Sequence, residues 1–220
     1  MHAEARKPGR PKNPVLEARR SAEILEVAAT VFAEFGFANT QVQEIADRLG
    51  IGNGTVYRYF PTKEKLFIAT VEKGLTELSE TMDRVLAGTD DPLRQLELAV
   101  LEYLRFFHNR PTMAELFIQE RAAFPKNPRA IYFTFKHEEE CQKHTAFYEH
   151  LLATGRVRPV PMERLFAVVG DLLYGAVLTN LLAGRRVEPE AHAADILDVV
   201  FNGLLISPPD TASKKKGKKP

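Results

Sequence analysis

TQVQEIADRLGIGNGTVYRYFPTKEKLF, residues 40–67, is the stretch that decides the fold. It reads as two short helices separated by a glycine-flanked turn, with a third helix following at once. Thr40 is placed to cap the first helix, with Gln43 at N3 completing a capping box. Ile45, Ala46 and Leu49 supply an apolar face, and Gly50 and Gly52 bracket Ile51 in a tight turn. Helix restarts at Asn53 and runs through Thr55, Val56, Tyr57, Arg58, Tyr59 and Phe60. This is a helix-turn-helix pattern. Bundles that never meet nucleic acid also contain such corners. Here the second helix sets small polar groups, phenols and a guanidinium outward, which suits a helix entering the DNA major groove.

GTVYRYFPTKEKLF, preceded by EIADRLGIG, closely resembles the N-terminal domain of the TetR family of bacterial transcriptional regulators, over residues 17–67. The resemblance implies a recognition helix with an aromatic end and a lysine, Lys63, that opens helix 4. It also implies that Tyr57, Tyr59 and Lys63 stand at positions that usually grip phosphate. One departure is Gly52, where the family often has Ser or Thr. Glycine caps nearly as well, but it has no hydroxyl for a phosphate.

The residues themselves suggest a division of labour. Thr40, at a helix N-terminus, is read as a phosphate contact, with Gln41 beside it. Gln43, Asn53, Thr55 and Arg58 are read as base readers, Arg58 suited to guanine and Gln43 or Asn53 to adenine. Gly54 lets the backbone approach the DNA closely. Val56 and Phe60 are read as inward-facing.

Outward from this segment, the chain of 220 residues with 45% apolar content is long enough for a large core. It contains no run of eighteen apolar residues, so no membrane span is expected, and its first residues lack the apolar stretch of a secretory signal. Cys141 is the single cysteine, which suits a reducing cytoplasm. The net charge of +1 is unevenly spread. Residues 1–65 carry ten basic and eight acidic side chains, residues 210–220 five and one, and the stretch between them is net acidic. Basic ends suit contact with phosphate.

The expected organisation is all-α, with about nine helices. Residues 1–16 form a basic arm expected to be disordered. Its RKPGRPK stretch resembles a minor-groove arm, with Arg10 between Gly9 and Pro11; an inert solvated tail is the other reading. Residues 17–62 form the DNA-binding domain. Its first helix is expected over 17–35, with Ile24, Ala28, Val31, Phe32 and Phe35 on one face and Gly36 as the stop. Residues 63–206 form a helical ligand-binding and dimerisation domain, and 207–220 a basic tail. Helix 4 is capped by Thr62 and carries Phe67, Val71, Leu75, Leu78, Met82 and Leu86 at helical spacing, so it links the two domains mechanically. Prolines and glycines then punctuate helices starting at Pro92, Pro111, Arg129, after Pro161 and after Pro189.

LFAVVGDLLYGAVLTNLLAG is apolar nearly all round and needs covering on two sides. A homodimer interface is expected from Leu165, Val169, Leu172, Leu173, Ala176, Val177, Asn180 and Leu181, joined by Ile196, Val200, Phe201 and Leu204 of the last helix. The two-fold symmetry of operators agrees. A family pocket among helices 4–8 is implied by the resemblance. Tyr103, Phe106, Phe107, His108, Met113, Phe117, Glu120, Arg121, Tyr132 and Tyr174 are its candidate lining, for a small hydrophobic effector; each is also an ordinary core residue.

His137, Cys141 and His144 fall at i, i+4 and i+7, a spacing that would suit Zn²⁺ or Cu⁺. The charged residues around them suit a solvated face, and no metal or cofactor is expected. No nucleophile–base pair, phosphate-cradling loop or paired carboxylates stands out, so an enzyme is not expected. The expectation is a cytoplasmic, ligand-responsive repressor that binds a palindromic double-stranded operator as a homodimer. Metal- or redox-responsive control, or DNA binding without effector control, are the alternatives.

Overall fold

In the computed structural model, residues 13–126, Ile131 and residues 137–203 are described. All regular structure among them is helical: α1 Pro14–Asn39, α2 Val42–Arg48, α3 Asn53–Tyr59, α4 Lys63–Leu86, α5 Pro92–Asn109, α6 Pro111–Ala123, α7 His137–Ala153, α8 Met162–Leu182 and α9 Pro189–Asn202. Arg10, Tyr132, Leu204 and the basic tail lie outside the described residues, as do the side chains of Arg121, His137 and Cys141.

α1 starts earlier than expected. Asn13 accepts the N–H groups of Val15 and Leu16 at 3.1 and 3.3 Å, and Pro14 follows at N1, a strong start signal that draws residues 13–16 out of the arm. Gly36, at φ 77°, breaks the helix where expected, but one more helical turn follows. That kink reverses a detail of the core. Phe35 is exposed and lies under the Arg48 guanidinium, 5.8 Å from its ring centroid. Phe37 turns inward instead.

The DNA-binding unit closes over Ile24, Ala28, Val31 and Phe32 of α1, Val42, Ile45 and Ala46 of α2, Val56 of α3, and Leu66 and Phe67 of α4. Thr62 caps α4 by accepting the Lys65 N–H at 3.2 Å. The rings of Phe32, Phe37, Phe67 and Phe124 meet edge-on or tilted, with centroids 5.0–5.9 Å apart along the chain of contacts 32–67–37–124 and 67–124. Burial of each such ring contributes about 1.5–3 kcal/mol. This cluster fuses the small unit to α4 and to the end of α6, the support that three short helices need.

In the second domain α5 packs on α4 and α9, and α6 packs on α1 and α8. α8 is the one described helix long and apolar enough to cross a membrane by length and composition, against the expectation of none. Its apolar inner face has another explanation. Leu173 is buried, and Val169, Ala176, Val177 and Leu181 pack on the protomer's own core, as Ile196 of α9 does. Six residues expected at a dimer interface thus also touch the protomer's own core, Leu173 buried and the other five partly buried. A helix apolar all round gives no sequence signal for which face turns inward.

Candidate nucleic-acid interface and effector cavity

α3 turns Val56 fully inward and leaves Tyr57 41% exposed, with Arg58 and Gly54 also exposed. Asn53, Thr55 and Tyr59 are half-buried. The Arg58 guanidinium lies 5.1 Å from the Tyr59 ring centroid, a cation–π arrangement that pre-orders it. Phe60 packs against the core, as read from the sequence. The chain thus shows one polar, cationic and phenolic ridge on an otherwise inward-packed helix.

α2 corrects the capping box. Its N-cap is Gln41, which makes no side-chain cap bond. Thr40 is buried, and its hydroxyl donates to the Gly36 carbonyl at 2.8 Å. The same carbonyl also accepts the Thr40 backbone N–H at 3.0 Å, so the Thr40 side chain closes the end of α1 and does not cap α2. Gln43, freed from capping, donates to Asp47 at 2.7 Å on the exposed face of α2. Lys63 is half-buried; its ammonium donates to the carbonyls of Ala38 and Thr40, both at 3.1 Å, and sits 4.8 Å from the Phe37 centroid. It therefore ties the start of α4 to the end of α1 beside the recognition surface.

The expected effector residues divide. Tyr103, Phe106, Met113 and Phe117 are buried core side chains. Glu120 is buried too, and accepts the Ile131 N–H at 3.2 Å. Burial, with the Glu120 charge adding to it, holds the Tyr174 phenol above its ordinary value. Of the described members of the expected set, Phe107 and His108 line the cavity of about 580 Å³ that opens between α5, α6, α8 and α9. Its other walls include Leu104, Pro111, Ala114, Val177, Asn180, Leu181, Arg185, Arg186, Val187 and His192. Val177, Asn180 and Leu181, expected at a dimer face, line this cavity in the protomer, and Asn180 pairs with His192 at 3.2 Å. The α9 contribution was invisible in sequence, because the four walls meet only in the folded chain.

His144 stacks on Phe166 with centroids 4.2 Å apart. Among the described residues no three His, Cys, Asp or Glu side chains group as a metal site.

Residues 24–70 match the sequence profile of the bacterial regulatory proteins of the tetR family. The chain is 23% identical over 201 residues to the HTH-type transcriptional repressor KstR2 of Mycolicibacterium smegmatis, covering 91% of this chain and 98% of that one. Two solved structures share the fold. The regulator FadR from Bacillus subtilis, in complex with stearoyl-CoA, has a TM-score of 0.71 at 17% identity over 84% of this chain and 99% of that one. The ketosteroid transcriptional regulator KstR2 of Mycobacterium tuberculosis has a TM-score of 0.64 at 21% identity over 92% and 100%. These relatives are transcriptional regulators, not enzymes. The exposed ridge of α3 thus lies within a helix-turn-helix segment, residues 24–70, that matches the N-terminal domain of the tetR family of bacterial regulatory proteins, and the described residues share the all-helical fold of solved regulators of that kind.

Proposed function

We propose that the protein is a cytoplasmic, ligand-responsive repressor that grips a palindromic operator as a homodimer and lets go when a small hydrophobic effector binds. The observation that carries the DNA reading is the α3 ridge: Val56 fully buried behind it, and Tyr57 and Arg58 exposed on it. Two such helices, about 34–36 Å apart, enter successive major grooves. Arg58 reads base edges with Gln43, Asn53 and Thr55, while Tyr57, Tyr59, Lys63 and the backbone near Gln41 and Gly54 hold phosphate.

The dimer face is the outer stripe of α8. Val168, Leu172 and Leu182 are 53%, 44% and 75% exposed, and Gly175 and Thr179 fall between them at helical spacing. Val199 and Phe201 continue the exposed apolar surface on α9. A second copy covers what the protomer's own core leaves bare, with no membrane required. Among the fold relatives FadR is complexed with stearoyl-CoA, which supports an apolar effector here. α6 couples the two ends: Pro111 and Ala114 line the cavity, and Gln119 and Phe124 touch the DNA-binding unit. An effector that prefers one setting of α6 shifts the population of DNA-competent dimers.

The test is fluorescence anisotropy against DNA from the gene's own upstream region at about 150 mM salt, with a scrambled competitor. Binding that survives the competitor at two protomers, or a multiple, per site supports the reading. Loss that follows competitor and salt equally reduces it to phosphate attraction.

A further inference from the structure

The cavity of about 580 Å³ has a one-sided chemistry. Its inner walls are apolar: Leu104 and Phe107 from α5, Ala114 from α6, and Val177 and Leu181 from α8. Its rim carries Arg185 and Arg186, with His108 and His192, and no Asp or Glu lines it. The size falls in the range of pockets that take small molecules.

The two rim arginines are fixed in place yet uncommitted. α8 ends in a Schellman turn: Gly184, at φ 62°, donates to Leu181 at 3.1 Å, and the Arg185 N–H donates to Asn180 at 2.8 Å. Pro189 then opens α9. The linker is thereby clamped at both ends over the cavity mouth. Arg48 and Arg105 each pair with two carboxylates. Neither Arg185 nor Arg186 forms an ion pair or a side-chain hydrogen bond among the described residues. Glu190 of α9 is already held by Arg105 at 2.6 Å, and Glu188 of the linker forms no ion pair with either arginine among the described residues. Two guanidiniums without counter-charge at the mouth of an apolar cavity match one kind of occupant.

We propose that this cavity binds a single-chain anionic amphiphile, its hydrocarbon chain between α5, α6 and α8 and its carboxylate or phosphate on Arg185 and Arg186. Guanidinium forks suit either head group, bidentate and charge-assisted. The site rests on the effector reading above only for its regulatory role; binding itself is independent of DNA.

The experiment displaces cis-parinaric acid from the full-length protein without DNA, using dodecanoate, dodecyl phosphate, dodecanoyl-CoA, dodecanol and dodecyltrimethylammonium, all below their micelle concentrations. Dodecanol measures the apolar part alone. The anionic probes are expected to bind about tenfold to a hundredfold more tightly than dodecanol, and the cationic probe more weakly than either. The ranking of the three anionic probes separates a free carboxylate from a phosphate-bearing thioester. Arg185→Gln with Arg186→Gln is expected to erase the anionic preference and leave dodecanol binding unchanged. Ala114→Leu, which narrows the cavity, is expected to weaken all probes together. Equal binding of dodecanol and dodecanoate, or an anionic preference that survives in the double glutamine variant, overturns the proposal. Operator release is scored separately. Arginine-dependent binding without release upholds the site and removes its effector role, whereas release by another compound with no dodecanoate binding upholds the repressor and removes this site.

Discussion

The side-chain carbonyl of Gln119, on α6, accepts the backbone N–H of Phe37 at 3.1 Å, across 82 residues of sequence. Its amide is held the other way by Glu115 at 3.0 Å, so the carbonyl is oriented before it meets Phe37. The bond fastens α6 to the turn that follows the α1 kink, beside the carbonyls that Lys63 holds. Replacing Gln119 by Leu keeps the bulk but leaves that N–H without its partner. The expected loss is about 1–3 kcal/mol in urea unfolding. An unchanged midpoint would show that the two domains do not communicate through this contact.

Arg58 is pre-ordered over Tyr59, so its removal is expected to act on recognition more than on folding. Arg58→Ala should cost about 1–3 kcal/mol of discrimination against scrambled DNA. Tyr57→Phe should weaken all sequences about equally, because a lost phosphate contact carries no base information. Competition titrations with both variants separate these roles, and undiminished operator preference in Arg58→Ala would remove Arg58 from the readout.

Much of this arrangement is legible in the sequence. Val56, Phe67 and the Thr62 cap follow from periodicity and local capping chemistry, which need only neighbouring residues. The misread features depend on longer-range choices. Thr40 and Gln43 have the spacing of a capping box, but the Thr40 hydroxyl turns back to the Gly36 carbonyl, which the Thr40 N–H also meets, and closes α1 instead of capping α2. The same kink exchanges Phe35 for Phe37 in the core. α8 carries apolar residues on every side, so no periodicity could tell Leu173, inside, from Leu172, outside. Arg185, His192 and Phe107 meet at one cavity only through the packing of α5 with α8 and α9.

A chain of charges crosses the domain boundary. Glu26 of α1 meets Lys73 of α4 at 2.9 Å, Lys73 meets Glu77 at 2.6 Å, and Glu77 pairs with Arg110 at the α5–α6 turn. The hydrogen bond from Lys73 holds the Glu26 carboxyl below its ordinary value of 4.5, and Arg48 does the same for Glu34. A carboxyl depressed in the folded state stabilises it above the unfolded value, and that contribution is lost as pH falls through the folded value. Thermal stability should therefore decline below about pH 4.5 and hold between pH 5 and 7 as far as these groups are concerned. Glu26→Gln with Glu34→Gln should flatten the acid limb, and about 0.5 M salt should do so partly, since both pairs face solvent. An acid limb of the same steepness in the double variant would assign the loss to other carboxylates.

Gly74, buried in mid-α4, lies under the Met113 side chain of α6. A Cβ at Gly74 would overlap the Met113 methyl and sulfur. Two effects then oppose each other in Gly74→Ala. Alanine favours the helix by about 0.8–1 kcal/mol, while overpacking a filled core costs about 1–3 kcal/mol. Met113 is 5% exposed, so its flexible end has little room to swing aside, and a net loss of stability is expected. Met113→Ala alone should also destabilise, by leaving a cavity. The double variant should be less unstable than the two single losses added together, because the new methyl occupies part of the space that Met113 vacates. Denaturant midpoints of the four proteins test this. Additive losses would mean that α4 and α6 are not in contact at this point, and the coupling assigned to α6 would lose its mid-helix support.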